Sequence, residues 1–100
     1  MSWIKEAINA LASGEQAKVR PHGGSMRGRI ESGQLVTISP ATADDVNENG
    51  VVFIRWKGNY MLHLVKEISE DGVLIGNNLG KINGWASRDD VLGVVIDVAD

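Results

Sequence analysis

The chain has 100 residues, no cysteine and a net charge of −3, and 43% of its residues are hydrophobic while 23% are charged. This composition is that of an ordinary globular protein, which excludes a disordered chain, a fibrous repeat and a disulfide framework. The absence of clustered Lys and Arg argues against nucleic-acid binding, and no apolar run is long enough for a membrane span. We expect one soluble, cytoplasmic domain over residues 1–100 that uses no metal and no cofactor.

The first predicted element is a short amphipathic helix near the N-terminus. Its apolar residues recur at spacings of three and four: Trp3, Ile4, Ala7, Ile8 and Leu11. Ser2 can cap the start of the helix, and Gly14 can supply the left-handed residue after its end. The polar face lacks the basic residues of a membrane-surface anchor, so we expect the helix to cover one end of a sheet.

After Ala17 the sequence is typical of a β protein, because short β-branched runs alternate with Gly, Asn, Asp and Pro. The predicted strands are residues 18–20, 34–39, 50–56, 60–68, 72–75 and 91–98. Tight turns are predicted at 57–59 and 70–72, and loops at 40–49 and 77–90. Six short strands predict a mainly β fold, a small coiled sheet or barrel with one N-terminal helix.

One segment carries candidate chemistry, since two glycines precede a serine where the first predicted strand ends. Gly23 and Gly24 permit another backbone, such as a substrate strand, to approach closely, and they allow a turn that exposes the hydroxyl of Ser25. Together with Met26 they are the candidate substrate-binding residues. Alone, this pattern is also that of an ordinary turn.

The order of several short motifs from Val19 to Val98 resembles the catalytic domain of the S24/S26 serine peptidases, which include signal peptidases and self-cleaving repressors. The motifs are Gly24-Ser25-Met26 followed by the apolar run 33–38, the hairpin 50–65, Gly76-Asn77-Asn78, and the closing strand 91–95. The resemblance implies the coiled β-sheet of that family, with Ser25 as the nucleophile.

The family places its general base on the return strand of the hairpin, and His63 occupies that position here, as in the histidine-bearing signal peptidases. Strand alternation places Met61, His63 and Val65 on one face. Burial between apolar neighbours would keep the imidazole neutral and able to accept the serine proton. The alternative is a core histidine that donates to a backbone carbonyl.

Three other residues are weighed as bases. Lys66 is the main rival, but it falls on the strand face opposite His63 unless a bulge shifts the register. Lys57 lies in the predicted turn and is expected to be solvated. His22 is expected to have a role at the end of a strand or in a loop.

The resemblance also implies a residue that orients the base. Counting along the loop after Gly76 places Asn83 where the histidine-bearing relatives have an aspartate, and Asn77 at the aspartate of their Gly-Asp-Asn loop. Asparagine can hold an imidazole by a hydrogen bond but cannot stabilise the imidazolium by charge. Asp89 and Asp90 are the alternative carboxylates.

Two further positions depart from the family pattern. Gly28 stands where the family has the proline of Ser-Met-x-Pro, and Gln34 stands where it has the aspartate of Gly-Asp. Gly23 offers no hydroxyl to an oxyanion, which leaves the Ser25 backbone N–H as the donor that the pattern identifies.

The sequence thus predicts a soluble serine endopeptidase in which Ser25 and His63 form a dyad and Asn83 orients the base. Its partner would be a protein or peptide substrate bound as an extended strand. The alternative is a catalytically degenerate relative that acts as a protein-binding or assembly module through its groove or through a surface formed by Trp56, Trp85 and Tyr60. Self-association is left open.

Overall fold

The computed structural model of the chain describes residues 2–22 and 26–100. It contains one helix and seven strands in a single antiparallel sheet. The elements are α1 (Trp3–Ala12), β1 (Ala17–Val19), β2 (Leu35–Pro40), β3 (Val51–Trp56), β4 (Asn59–Ile68), β5 (Gly72–Gly76), β6 (Ile82–Ser87) and β7 (Val91–Ala99), with short 3-10 helices at Ala43–Asp45 and Arg88–Asp90. The mainly β fold with one N-terminal helix is therefore confirmed.

The strands follow the order β1-β2-β7-β3-β4-β5-β6 across the sheet. β1 and β6 form its two edges, so the sheet in the described part of the chain is coiled but does not close into a barrel. No helix in residues 2–22 or 26–100 is both long and apolar enough to cross a bilayer.

The ends of α1 follow the sequence prediction. The Ser2 hydroxyl accepts a hydrogen bond from the Ile4 N–H at 3.1 Å, which caps the first turn. At the other end Gly14 adopts a φ of +77°, the left-handed conformation that glycine reaches without strain.

The predicted hairpin turn at 57–59 is confirmed as a two-residue connection between β3 and β4. Trp56 pairs with Asn59, and both connecting residues, Lys57 and Gly58, have positive φ, as a tight hairpin of this kind requires. This turn fixes the register that places His63 opposite Val52.

The prediction of one long loop over 77–90 is wrong, because β6 lies within it and pairs with β5. The segment contains Asn83 and Gly84, which weaken a strand signal, and the register shifts at Asn83. The shift places Ile82 and Trp85, three positions apart, on the same side of the strand. The apolar residues therefore do not alternate at every second position, which is the pattern that predicts a strand.

The two faces of the sheet carry separate apolar cores. The front face carries Val51, Phe53, Leu62 and Leu64, and α1 together with Met26 and Ile30 covers it. The back face carries Val52, Ile54, Val65 and Ile75. On the back face the sheet curls toward itself, because a Cβ placed on Gly84 would lie only 2.9 Å from the ring of Trp56.

Candidate active site

His63 lies on β4 and its side chain is 8% exposed. Its pairing with Val52 and its alternation with Leu62 and Leu64 place it on the back face. The prediction that His63 shares a face with Val65 agrees with this register.

The Nδ1 atom of His63 lies 2.5 Å from the carbonyl oxygen of Leu62. A carbonyl oxygen only accepts, so Nδ1 must carry the proton, and in the neutral ring the free lone pair is then on Nε2. No other described residue hydrogen-bonds the ring. The geometry leaves Nε2 as the basic nitrogen.

Burial lowers the pKa of His63 below its ordinary value, since desolvation disfavours the imidazolium. The hydrogen bond to Leu62 acts in the opposite direction and raises the pKa, and the positive charge of Lys81 lowers it further. The ring is therefore neutral at neutral pH, the state that a general base requires.

The Leu62 carbonyl points toward the β5 side of β4. Both main-chain groups of Val65 bond toward β3, to Asn49 and Gly50, and main-chain groups alternate between the two sides of a strand. The main-chain groups of Leu62 therefore point away from β3, toward the β5 side. β5 pairs with β4 only as far as the Leu64–Gly76 pair, so the ring of His63 reaches the edge of β4 where β5 has ended.

The predicted nucleophile Ser25, together with Gly23 and Gly24, lies outside the described residues. The positions of the residues that follow Ser25 in the sequence are described. Met26 is buried in the front-face core, and the Arg27 carbonyl accepts a hydrogen bond from Asn78 Nδ2 at 2.9 Å. The turn after Ser25 is thus attached to the loop that follows β5.

The structure gives a physical reason for Gly28, which replaces the proline of the family pattern. Gly28 has a φ of +98°, whereas proline is fixed near −65°. Its N–H donates to Glu31 Oε2 at 2.7 Å, a bond that proline could not make. A Cβ at this position would lie 2.7 Å from Asn78 Nδ2, so a larger residue would displace the Asn78 side chain.

Gln34, the other departure, bridges two parts of the chain. Its Oε1 accepts from the Glu31 N–H at 2.7 Å, and its Nε2 donates to Asp100 Oδ1 at 2.9 Å. An aspartate here would be shorter and would be repelled by Asp100. Glutamine therefore suits this position by charge as well as by length.

None of the predicted orienting residues hydrogen-bonds His63 within the described part of the chain. Asn83 lies at the bulge of β6, and its buried Oδ1 has no hydrogen-bond partner among the described residues. Asp90 pairs with Arg55 at 2.9 Å, and Asp89 is exposed. The hydrogen bond of Nδ1 is made with the Leu62 carbonyl.

Asn77, at the position of the family's loop aspartate, organises its own loop. Its Oδ1 accepts from the N–H groups of Leu79 and Lys81 at 2.8 and 2.9 Å. The same loop carries Asn78 and the Lys81 charge that acts on His63. Within residues 2–22 and 26–100, no cluster of three His, Asp or Glu side chains is arranged to hold a metal ion.

Lys66 could act as a rival base only if a bulge turned it to the face of His63. A bulge is present in β4, and Lys66 is its unpaired residue. Its Cε lies 2.9 Å from the position of a Cβ on Gly76, which pairs with Leu64. Its side chain therefore stays on the front face, opposite His63.

His22 lies in a loop, where its Nδ1 is 3.3 Å from the Ser32 hydroxyl.

Sequence reasoning missed two contacts of the candidate site, the bond of Leu62 to His63 and the bond of Asn78 to Arg27. Leu62 acts through its backbone, which no side-chain pattern reveals. Asn78 was part of a recognised motif, but its bond to Arg27 joins residues 51 positions apart. Comparison of the chain with models of known protein families and with characterised proteins finds no match.

Proposed function

We propose that this protein is a serine endopeptidase of the S24/S26 kind, with Ser25 as nucleophile and His63 as base. The observation that carries the proposal is the state of His63: a buried imidazole with a lowered pKa whose Nδ1–H is bonded to Leu62, so that Nε2 is the free base. A core histidine with a structural role would make the same Nδ1 bond, so the proposal adds to it the free Nε2 at the edge of β4 beyond the last pair with β5.

In the proposed reaction Ser25 Oγ attacks a peptide carbonyl while His63 Nε2 takes the hydroxyl proton. The proton then passes to the leaving amine, and water hydrolyses the acyl-enzyme with the same base. The Leu62 carbonyl stabilises the imidazolium by accepting from Nδ1, a neutral substitute for the aspartate of a triad. We therefore expect a slower enzyme than a full triad gives.

The edge of β4 beyond the Leu64–Gly76 pair, where none of the described strands pairs, supports binding of the substrate as an extended strand. Main-chain groups of Tyr60 and Leu62 point to this edge, and β5 does not pair there. An added peptide strand would gain main-chain hydrogen bonds beside His63, except at the Leu62 carbonyl, which the imidazole already uses.

The test is covalent labelling of the folded protein by a fluorophosphonate, located by mass spectrometry. We expect one label, on Ser25, that is lost in Ser25→Ala and falls by about 1,000-fold or more in rate in His63→Ala. His22→Ala is the matched control, since it removes the other histidine and should label normally. Circular dichroism confirms that each variant is folded.

Two results would contradict the assignment. Absence of labelling of the wild-type protein between pH 6 and pH 9 would contradict the assignment of Ser25 as a nucleophile. Labelling that persists in His63→Ala but disappears in Lys66→Met would transfer the base role to Lys66.

A second candidate function, a binding or assembly module, is favoured by one observation on the edge strand β6. Ile82 and Trp85 are 56% and 50% exposed and lie on the same side of that strand. Trp56 and Tyr60 do not join them, because each packs into a different core. A protein that never labels at Ser25 but self-associates through Trp85, as measured by sedimentation of wild type and Trp85→Ser, would favour this function.

A further inference from the structure

The two edge strands of the sheet differ in how well they are protected against pairing with another strand. β1 is three residues long and carries the exposed Lys18 at its centre, and shortness and a lysine are common protections of a sheet edge. β6 is six residues long and contains no charged residue and no proline. The β6 edge therefore lacks the two features that protect β1.

β6 directs main-chain groups outward, where no other described strand pairs with it. Gly72, which pairs with Ser87, uses its own main-chain groups on the β4 side. Its carbonyl accepts from the Ser69 N–H at 2.9 Å, and its N–H donates to Ser69 Oγ at 3.1 Å. Because main-chain groups alternate along a strand, Ala86 bonds to β5, whereas Trp85 and the Ser87 N–H point outward. These outward groups can bond an added strand.

Three exposed apolar side chains lie at this edge. Trp85 and Ile82 of β6 are 50% and 56% exposed, and Leu79 of the preceding loop is 63% exposed. Trp85 lies opposite Leu74 of β5, and its Cε3 is 3.7 Å from the position of a Cβ on Gly72, so one side of the ring rests on its own sheet. A strand added to β6 would cover part of the surface that remains exposed.

The charges at the two ends of β6 are complementary to each other. Lys81 precedes the strand and Asp89 follows it, both are exposed, and neither forms a salt bridge within the part of the chain that the structure describes. The neighbouring Arg88 is already paired with Asp44 at 2.6 Å. An antiparallel copy of β6 would bring each Lys81 to the Asp89 of the other copy, whereas a parallel copy would bring like charges together.

We propose that β6 is a dimer interface, in which two copies of this chain join their sheets by antiparallel pairing of their β6 strands. Trp85 lies at the two-fold axis, where the copies exchange main-chain hydrogen bonds and the two indole side chains are cross-strand neighbours. Gly84 of one copy then faces Ala86 of the other, so the pairing meets only small side chains on the back face. This interface gives the assembly function its partner and does not require Ser25 to be active.

An exchange of charges tests whether the partner is a second copy. Sedimentation velocity of the full chain at increasing concentration gives the dissociation constant of the dimer. Lys81→Glu and Asp89→Lys each bring like charges together twice in the dimer, and each should weaken it by about 10-fold. An equimolar mixture of the two variants restores opposite charges at both ends, so we expect heterodimers with the affinity of the wild type. Lys18→Glu, at the β1 edge, is the matched control and should have no effect.

Ser87→Pro tests the main-chain pairing itself. Ser87 has a φ of −66°, which proline adopts without strain, so the substitution removes the outward N–H and keeps the bonds to β5. Ser87→Ala is the matched control, because both variants lose the bond from the Asp89 N–H to Ser87 Oγ at 3.3 Å, but alanine keeps its own N–H. We expect Ser87→Pro and Trp85→Ser to weaken the dimer by about 10-fold or more, and Ser87→Ala to leave it unchanged. Circular dichroism confirms that each variant is folded.

The outcomes separate this interface from the peptidase. A wild-type protein that stays monomeric up to about 1 mM would overturn the interface, and labelling of Ser25 in the same sample would leave the peptidase standing. A dimer that never labels would support the interface and overturn the peptidase. A dimer that Ser87→Pro leaves intact, or that the mixture of charge variants does not restore, would overturn the pairing of β6 strands.

Discussion

The two faces of the sheet are covered by different parts of the chain. On the front face a separate layer, formed by α1 and the turn after Ser25, lies over Phe53 and its neighbours. On the back face Trp56 of β3 packs against Gly84 of β6, and Ala43 and Val46 of the connection between β2 and β3 join the core. A separate layer of the chain therefore covers the front face, whereas side-chain packing between strands of the sheet covers part of the back face.

This difference bears on the proposed dyad, because Met26 and His63 lie on different faces of the sheet. Met26, next to Ser25, is buried in the front core, whereas His63 faces the back. The proposed dyad therefore requires an approach around the edge of β4 beyond Gly76, where the ring of His63 is bonded to the Leu62 carbonyl. The early end of β5 is thus the feature of the fold on which the site depends.

The largest effect should come from removing the side chain that joins the front layer to the sheet. Phe53 is fully buried and its ring lies 5.8 Å from that of Trp3. We expect Phe53→Ala to lower the free energy of unfolding by about 3–5 kcal/mol, measured by urea denaturation.

The comparison is sharpened by Ile75→Ala, which creates a cavity in the back core, where Ile75 is also fully buried. Hydrogen exchange should show that amides of α1 open more readily than the sheet in Phe53→Ala, but not in Ile75→Ala. Equal loosening of α1 in both variants would show that the two cores are not independent.

A smaller effect should follow from disturbing the contact between the serine turn and the loop after β5. Gly28→Ala introduces a Cβ beside Asn78, whereas Gly33→Ala is the matched control, with a φ of +88° and no atom within 4 Å of the added Cβ. Both variants pay a similar backbone strain, about 1–3 kcal/mol.

Gly28→Ala should cost about 1 kcal/mol more than Gly33→Ala, since it also displaces the Asn78–Arg27 hydrogen bond. It should also slow labelling of Ser25. In the Asn78→Ala background the extra cost of Gly28→Ala should vanish, because the clashing group is gone. An extra cost that survives there would assign it to backbone strain alone.

Sequence patterns predicted the helix, the hairpin of β3 and β4, and the face of His63, because capping, turn chemistry and alternation are local. They missed β6, where Asn83 at the bulge interrupts the alternation. They also could not identify the partner of Nδ1, which depends on where β5 stops pairing with β4. Gly28 was recognised as a departure, but its reason is a contact with Asn78, distant in sequence.

The smallest effect concerns the pH dependence of stability that His63 contributes. Its pKa is lowered in the folded protein, chiefly by desolvation, from an unfolded value of about 6.5. Below about pH 6.5 the unfolded chain therefore binds more protons than the folded one, and stability falls with falling pH until the lowered folded pKa is reached. Above about pH 6.5 the full stability is present.

Lys81 provides a graded test of this titration, since its charge is one of the causes that lower the pKa of His63. Lys81→Gln should raise that pKa, measured by NMR of the imidazole ring, and should reduce the loss of stability between pH 8 and pH 5.5 relative to wild type. Lys57→Gln, which removes an exposed charge from the β3–β4 turn, should change neither. His63→Gln gives the pH dependence of the remaining groups, against which both are compared. A His63 that titrates above pH 6.5 in the wild-type protein would contradict the buried, neutral imidazole and, with it, the free Nε2 on which the proposed chemistry depends.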